Sequence, residues 1–184
     1  MLIRIGHSPD PDDAFMFYAL TAGKVKAEGI EVEHVLEDIE SLNRRARTGE
    51  LEVTAVSAAT YVLVHEQYRM MDPGASMGKG YGPILVAREP IARNQLEEKV
   101  VAIPGSHTTA ALLLRIYVGD PRSSRWPSTR SPRPCSRDRP ISACSSTKGR
   151  SRISRWGWSR CSTWGRSGSA RRACPAPRHQ RDAP

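Results

Sequence analysis

The chain has 184 residues, 39% hydrophobic and 26% charged, with 28 Lys and Arg against 19 Asp and Glu. That length suits one ordinary domain or one lobe of a larger protein. No run of eighteen apolar residues offers a membrane span, and residues 1–6 show neither an apolar h-region nor a small-residue cleavage site, so a cytoplasmic location is expected.

Charge divides the chain in two. Residues 1–120 hold 12 basic and 17 acidic side chains, a net of −5, whereas residues 121–184 hold 16 and 2, a net of +14. In the first part strand-like and helix-like stretches alternate. Residues 2–6 read as a short apolar strand, and Ser8-Pro9-Asp10-Pro11-Asp12-Asp13 supplies turn and cap residues before the apolar run 14–20. Gly23 and Gly29 punctuate, and residues 30–36 alternate as a half-buried strand does. Residues 38–47 fit a helix, with Glu40 four before Arg44 and Gly49 closing it. Residues 51–56 form the next strand, after which Ser57 can cap a helix over 58–64. Two more strands fall at 83–87 and 100–103, and Pro104-Gly105-Ser106-His107-Thr108-Thr109 leads into a helix over 110–118. Strands interleaved with helices predict an α/β fold with a largely parallel sheet.

Beyond Asp120 the composition changes. All four Cys (Cys135, Cys144, Cys161, Cys174) and all four Trp (Trp126, Trp156, Trp158, Trp164) lie there, and no Leu, Val, Phe or Tyr does. With Ile141 and Ile153 as its branched aliphatics, this stretch lacks material for a core, and an irregular tail is expected. Its cysteines contain no C-x-x-C pair and have only His179 nearby, which argues against a zinc module or a disulfide framework.

Two strand-to-helix junctions, Thr54-Ala55-Val56-Ser57 and Gly105-Ser106-His107-Thr108-Thr109, are the places for chemistry. Such junctions lie at the carboxyl ends of parallel strands, where open α/β sheets bind ligands. Free N–H groups and hydroxyls at a helix start suit a carboxylate or another small anion, although capping alone also explains a Ser or Thr there. Asp10, Asp12 and Asp13 are read as helix-start acids rather than metal ligands. The stretch from Gly74 to Gly80 misses the spacing of a phosphate-binding loop, since three residues separate Gly74 from Gly78 and Gly80 follows Lys79. His7 and His107 stand at junctions a ligand could reach, and His34 and His65 lie in structural segments; a lone histidine is usually structural.

The segment Gly6-His7-Ser8-Pro9-Asp10-Pro11-Asp12-Asp13-Ala14-Phe15-Met16-Phe17-Tyr18-Ala19-Leu20 resembles the opening of the 1,4-dihydroxy-6-naphthoate synthase family of menaquinone biosynthesis. The resemblance continues through residues 34–43, 53–57, 74–83 and 101–109, in the same order, and covers residues 1–120, a little under half of the family's usual length. It implies a two-lobed type II fold like that of periplasmic binding proteins, with ligand in the cleft between lobes. Residues 1–120 are then the first lobe and the start of the second. It further implies conversion of cyclic de-hypoxanthine futalosine to 1,4-dihydroxy-6-naphthoate, with no cofactor and no metal. The relative that dehydrates chorismate shares the fold, but Ser8–Asp13 and His107–Thr109 are closer to the naphthoate synthase. The family's substrate-contacting segments fall on Ala55, Val56, Ser57, Thr108 and Thr109, with Asn43 nearby.

The resemblance stops at Asp120. The family's proposed base is a histidine in a segment resembling Asp-Leu-Gly-Leu-Leu-Ile-His-Glu, and nothing like it is readable afterwards. Back-translated one nucleotide out of frame with suitable codons, residues 141–149 give Asp-Leu-Gly-Leu-Leu-Leu-His-Glu-Gly, which places Thr147 where the histidine falls. A bias to Arg, Ser, Pro, Trp and Cys is also what off-frame reading of a GC-rich gene yields. A frameshift near Asp120 is therefore expected, with no catalytic residue for the family reaction in this chain. Two other classes compete. The Ser-Arg pairs of the tail, with Trp158 and Trp164 to stack on bases, fit a nucleic-acid binder, but an off-frame origin argues against that partner. The intact lobe alone fits a carboxylate-binding module without chemistry.

Overall fold

The computed structural model describes residues 1–76, 83–87, 91–125, 141–144 and 159–163. Strand β1 (Leu2–His7) ends in buried residues and is followed by Asp10, whose extended backbone turns the chain into α1 (Pro11–Thr21). Pro11 sits at the first helical position, where its missing N–H has no intrahelical acceptor to lose. The helix therefore starts three residues before the apolar run that marks it in the sequence. Gly23 and Gly29, both at positive φ, bring the chain back as β2 (Glu31–Leu36), parallel to β1 from Leu2 opposite Glu31 to His7 opposite Leu36.

Asp38 caps α2 (Ile39–Arg47), its carboxylate accepting the N–H groups of Glu40 and Ser41, and three arginines fill the last turn, where cations complement the helix dipole. Strand β3 (Val53–Thr54) pairs parallel with the other side of β1 and is shorter than expected: after a bond from the Ala55 N–H to the Gly6 carbonyl the chain leaves for α3 (Ala58–Val64). The result is a three-stranded parallel sheet in the order β2-β1-β3. Ile5, Leu42, Ala46, Leu51 and Val64 are its buried apolar side chains.

The second sheet begins with β4 (Ile84–Ala87), passes a short 3-10 turn (Arg93–Gln95), and continues with β5 (Val101–Ile103) and α4 (Thr109–Val118). Leu85, Ala87, Leu96, Val101, Ile103, Ala111, Leu114 and Val118 form its core, which packs α4 on the sheet. Three segments beyond Asp120 complete it: β6 (Ser123–Arg125), β7 (Ile141–Cys144) and β8 (Ser159–Thr163), in the order β6-β5-β7-β4-β8. β5 is parallel to β6 and β7, and β4 is antiparallel to β7 and β8. These strands lie within the stretch expected to be irregular. A ladder is made of backbone groups, which every residue but proline supplies in full, so such pairing does not call on the aliphatics that the stretch lacks. The rest of 121–184, including Thr147, Cys135 and Cys174, lies outside the described residues, as do 77–82 of the glycine-rich segment. Among the described residues no helix is long and apolar enough to cross a membrane.

At Gly6 the first sheet leaves no room for a side chain. A Cβ there would stand 2.6 Å from Leu51 and 2.8 Å from Leu42, side chains that close over β1 on the face to which it would point. Gly6→Ala is therefore expected to destabilise the chain by about 1–3 kcal/mol through overpacking, read as a lower urea midpoint with an unchanged slope.

Candidate functional site

Four polar side chains of α2, Glu40, Asn43, Arg44 and Arg47, recur at spacings of three and four and so share one face of the helix. That face meets both strand-to-helix junctions. Asn43 is fully buried. Its Oδ1 accepts the Ser57 N–H at 2.9 Å, and its Nδ2 donates to Ser57 Oγ at 3.2 Å and to the His107 carbonyl at 3.4 Å. From α3, the Thr60 hydroxyl donates to the same carbonyl at 2.7 Å, and the Ala59 N–H donates to Thr109 Oγ1 at 3.3 Å. Asn43, Ser57 and Thr109 are thus brought together although 14 and 66 residues separate them in sequence.

Each expected residue has a distinct place. Ser57 stands at the N-cap of α3 without capping it, and its oxygen accepts from Asn43. Thr109 accepts from Ala59. Both oxygens are therefore acceptors of protein N–H groups, which leaves each O–H proton available as a donor. Thr108 is different: it is buried, donates to the Gly105 carbonyl at 2.8 Å and accepts the Ala111 N–H at 3.3 Å, so its hydroxyl is consumed in capping α4. Ala55 and Val56 are half-buried on the link from β3 to α3. The first turn of α4 adds the N–H groups of Thr109 and Ala110, for which the helix itself has no acceptor. Two hydroxyls with a proton to donate beside a helix start suit a carboxylate.

Glu40 escaped the sequence reading, which gave it only the role of partner to Arg44. That pair exists, Arg44 Nε to Glu40 Oε1 at 3.3 Å, but Glu40 is fully buried and its main contacts lie 66 and 67 residues away. Oε2 accepts the His107 N–H at 3.0 Å, and Oε1 meets His107 Nδ1 at 2.8 Å and the Ser106 hydroxyl at 3.3 Å. Burial pushes the carboxyl up, but hydrogen bonds from the His107 ring and N–H, helped by Arg44, outweigh it and hold Glu40 below the ordinary carboxylate value. A second tie runs from Asp38 to Arg125 of β6, whose Nη2 lies 3.2 and 3.3 Å from the two carboxylate oxygens. Burial raises Asp38 as well, and the bonds from Ser41 and Arg125 bring it below its ordinary value.

The other sequence candidates lie elsewhere. His7 is buried, stacks on Phe17 with ring centroids 4.4 Å apart, and places Nε2 3.1 Å from Nδ1 of His34. Burial, then the neighbouring His7, lowers His34. His65 contacts the Val62 carbonyl at the end of α3. Asp12 and Asp13 occupy the first turn of α1, as helix-start acids do, with Asp13 accepting the Ser8 N–H at 2.7 Å.

A protein family described as menaquinone biosynthesis matches residues 3–133. A 1,4-dihydroxy-6-naphtoate synthase of Thermus thermophilus is 46% identical over 115 residues, which cover 62% of this chain and 41% of the relative. A crystal structure of a protein from Archaeoglobus fulgidus matches with a TM-score of 0.74 at 40% identity, covering 87% of this chain and 59% of that one. The periplasmic aliphatic sulphonate binding protein of Escherichia coli matches at a TM-score of 0.56 over 88% of this chain and 60% of its own, and at 10% identity shares the fold alone. The chain spans about two fifths of the length of the curated relatives it matches.

The carboxylates of α2 set an acid limit on the fold. Glu40 and Asp38 both titrate lower folded than free, so their charged forms stabilise the fold above the ordinary values of 4.5 and 3.8, and that contribution is lost as pH falls through their folded values. Urea midpoints measured downward from pH 5 should fall steadily, and Glu40→Gln should make the fall shallower. A midpoint independent of pH across that window would contradict the assignment.

Proposed function

The chain belongs to the menaquinone-biosynthesis family, and from that premise we propose that its site holds the carboxylate of a small substrate of the futalosine route. The reaction proposed for the family protein is conversion of cyclic de-hypoxanthine futalosine to 1,4-dihydroxy-6-naphthoate. The observation that carries the reading is the pair of hydroxyls, Ser57 and Thr109, whose oxygens are both occupied by protein donors and whose protons are left for an anion. Ala55 and Val56 flank the carboxylate, Asn43 sets the Ser57 hydroxyl, and Thr108 fixes the start of α4. The likeness to the 1,4-dihydroxy-6-naphtoate synthase of Thermus thermophilus supports the same assignment. A cytoplasmic setting fits a biosynthetic enzyme.

The division of the chain has a functional consequence. Residues 1–120 supply the carboxylate-binding half of the site, and the frameshifted stretch 121–184 replaces the part that would hold the base. Thr147, where the family's histidine falls, has no group that takes a proton at neutral pH. A general base contributes about 10²–10⁴-fold and positioning by the remainder of the second lobe contributes further, so the chain as written is a binder without turnover. The test assays this chain beside one whose reading frame is restored after Asp120, for naphthoate formation. The restored chain should turn over and this one should not; comparable turnover would overthrow the reading, and so would a restored chain that binds and converts nothing.

A further inference from the structure

Glu40 is a fully buried carboxylate that the proposed chemistry does not use. A charge removed from water needs donors around it, and here four converge: the His107 N–H, the His107 ring, the Ser106 hydroxyl and Arg44. The turn has been shaped to reach it. A Cβ on Gly105 would overlap both the carboxylate and the Cβ of Glu40, so the closeness of turn and helix depends on glycine at that position.

The ring of His107 is held from both ends. Nδ1 faces Glu40 Oε1 at 2.8 Å, and Nε2 faces Arg47 Nη1 at 2.8 Å. A guanidinium only donates, so Nε2 must offer its lone pair and the ring proton sits on Nδ1, directed at the carboxylate. The same residue gives its N–H to Glu40 and its carbonyl to Asn43 and Thr60. Two residues on, Thr109 receives the Ala59 N–H.

We propose that Glu40 is the positioning residue of this site: it fixes His107 as the neutral tautomer protonated on Nδ1, and so sets the Gly105–Thr109 turn at the distance where Thr109 meets α3 and Asn43 meets both junctions. The functional consequence rests on the reading of Ser57 and Thr109 as carboxylate donors. Glutamine at position 40 separates charge from shape. Its amide oxygen must stay with the His107 N–H, which cannot be reversed, so its NH2 group faces the ring. Nδ1 must then accept, and the ring proton moves to Nε2, against Arg47.

The test uses the full chain labelled with 15N-histidine, in which two-bond proton–nitrogen correlations read the tautomer directly. Unaltered chain at pH 7 should show His107 neutral and protonated on Nδ1. Glu40→Gln should shift it to Nε2 and speed exchange of the Ala59 and Ser57 amides by roughly tenfold or more, the scale of one charge-assisted hydrogen bond. Glu40→Asp, which keeps a carboxylate, should restore the Nδ1 form. An Nε2-protonated or doubly protonated His107 in the unaltered chain overturns the proposal without any variant. Unchanged tautomer or unchanged amide exchange in a folded Glu40→Gln chain overturns it as well. Titration with 1,4-dihydroxy-6-naphthoate is a separate arm: failure of the unaltered chain to bind it counts against the carboxylate reading, while tautomer and exchange still decide the role of Glu40.

Discussion

A carboxylate with no access to water must be surrounded by donors, and the position of Glu40 follows from that constraint. Three of the four donors it finds come from the β5–α4 turn, and only Arg44 from its own helix. One helix of the first sheet therefore holds the turn that opens α4 of the second sheet, and α2 becomes the element on which both strand-to-helix junctions are aligned. Asn43, one turn along the same face, repeats the device with a neutral amide. Asp38 repeats it with a charge at the helix start, through Arg125.

The consequence for chemistry lies in which hydroxyl is free. Ser57, Thr108 and Thr109 look alike as sequence, yet the bonds around them divide the work. Thr108 spends its hydroxyl on the turn and the helix it caps. Ser57 and Thr109 each accept from an N–H that the α2 face or α3 presents, and keep a proton to donate. Under the proposed function, alignment by buried groups matters because a carboxylate is recognised by donors at fixed directions, and loosely held hydroxyls would bond to one another or to water instead.

Much of this was legible in the sequence, and what was not has a physical cause. The alternation of strands and helices up to Asp120 was readable because period and punctuation are local properties, and the two junctions were readable because Ser and Thr beside a strand end are local too. Element ends shifted where a proline was tolerated at the first position of α1 and where β3 stopped after Thr54. Glu40 was not legible as a buried group, since its burial depends on a turn 65 to 67 residues away. One signal was present: Ile39, Leu42, Asn43 and Ala46 form an apolar-spaced stripe with an amide in it, and a polar side chain at such a position requires a partner. Beyond Asp120 the missing aliphatics described what a hydrophobic core lacks, and the backbone pairing of β6, β7 and β8 is a property that composition does not report.

The central claim is that Glu40 and Asn43, which holds Ser57 directly, both hold His107 and through it act as one unit. The measurement that tests it most directly is a double-mutant cycle on folding stability with Glu40→Gln and Asn43→Ala, two changes one turn apart whose side chains do not bond each other. Coupling through His107 predicts a departure from additivity of about 0.5–3 kcal/mol. Additivity within about 0.3–0.5 kcal/mol would mean that the two side chains stabilise the fold independently, and would contradict the account.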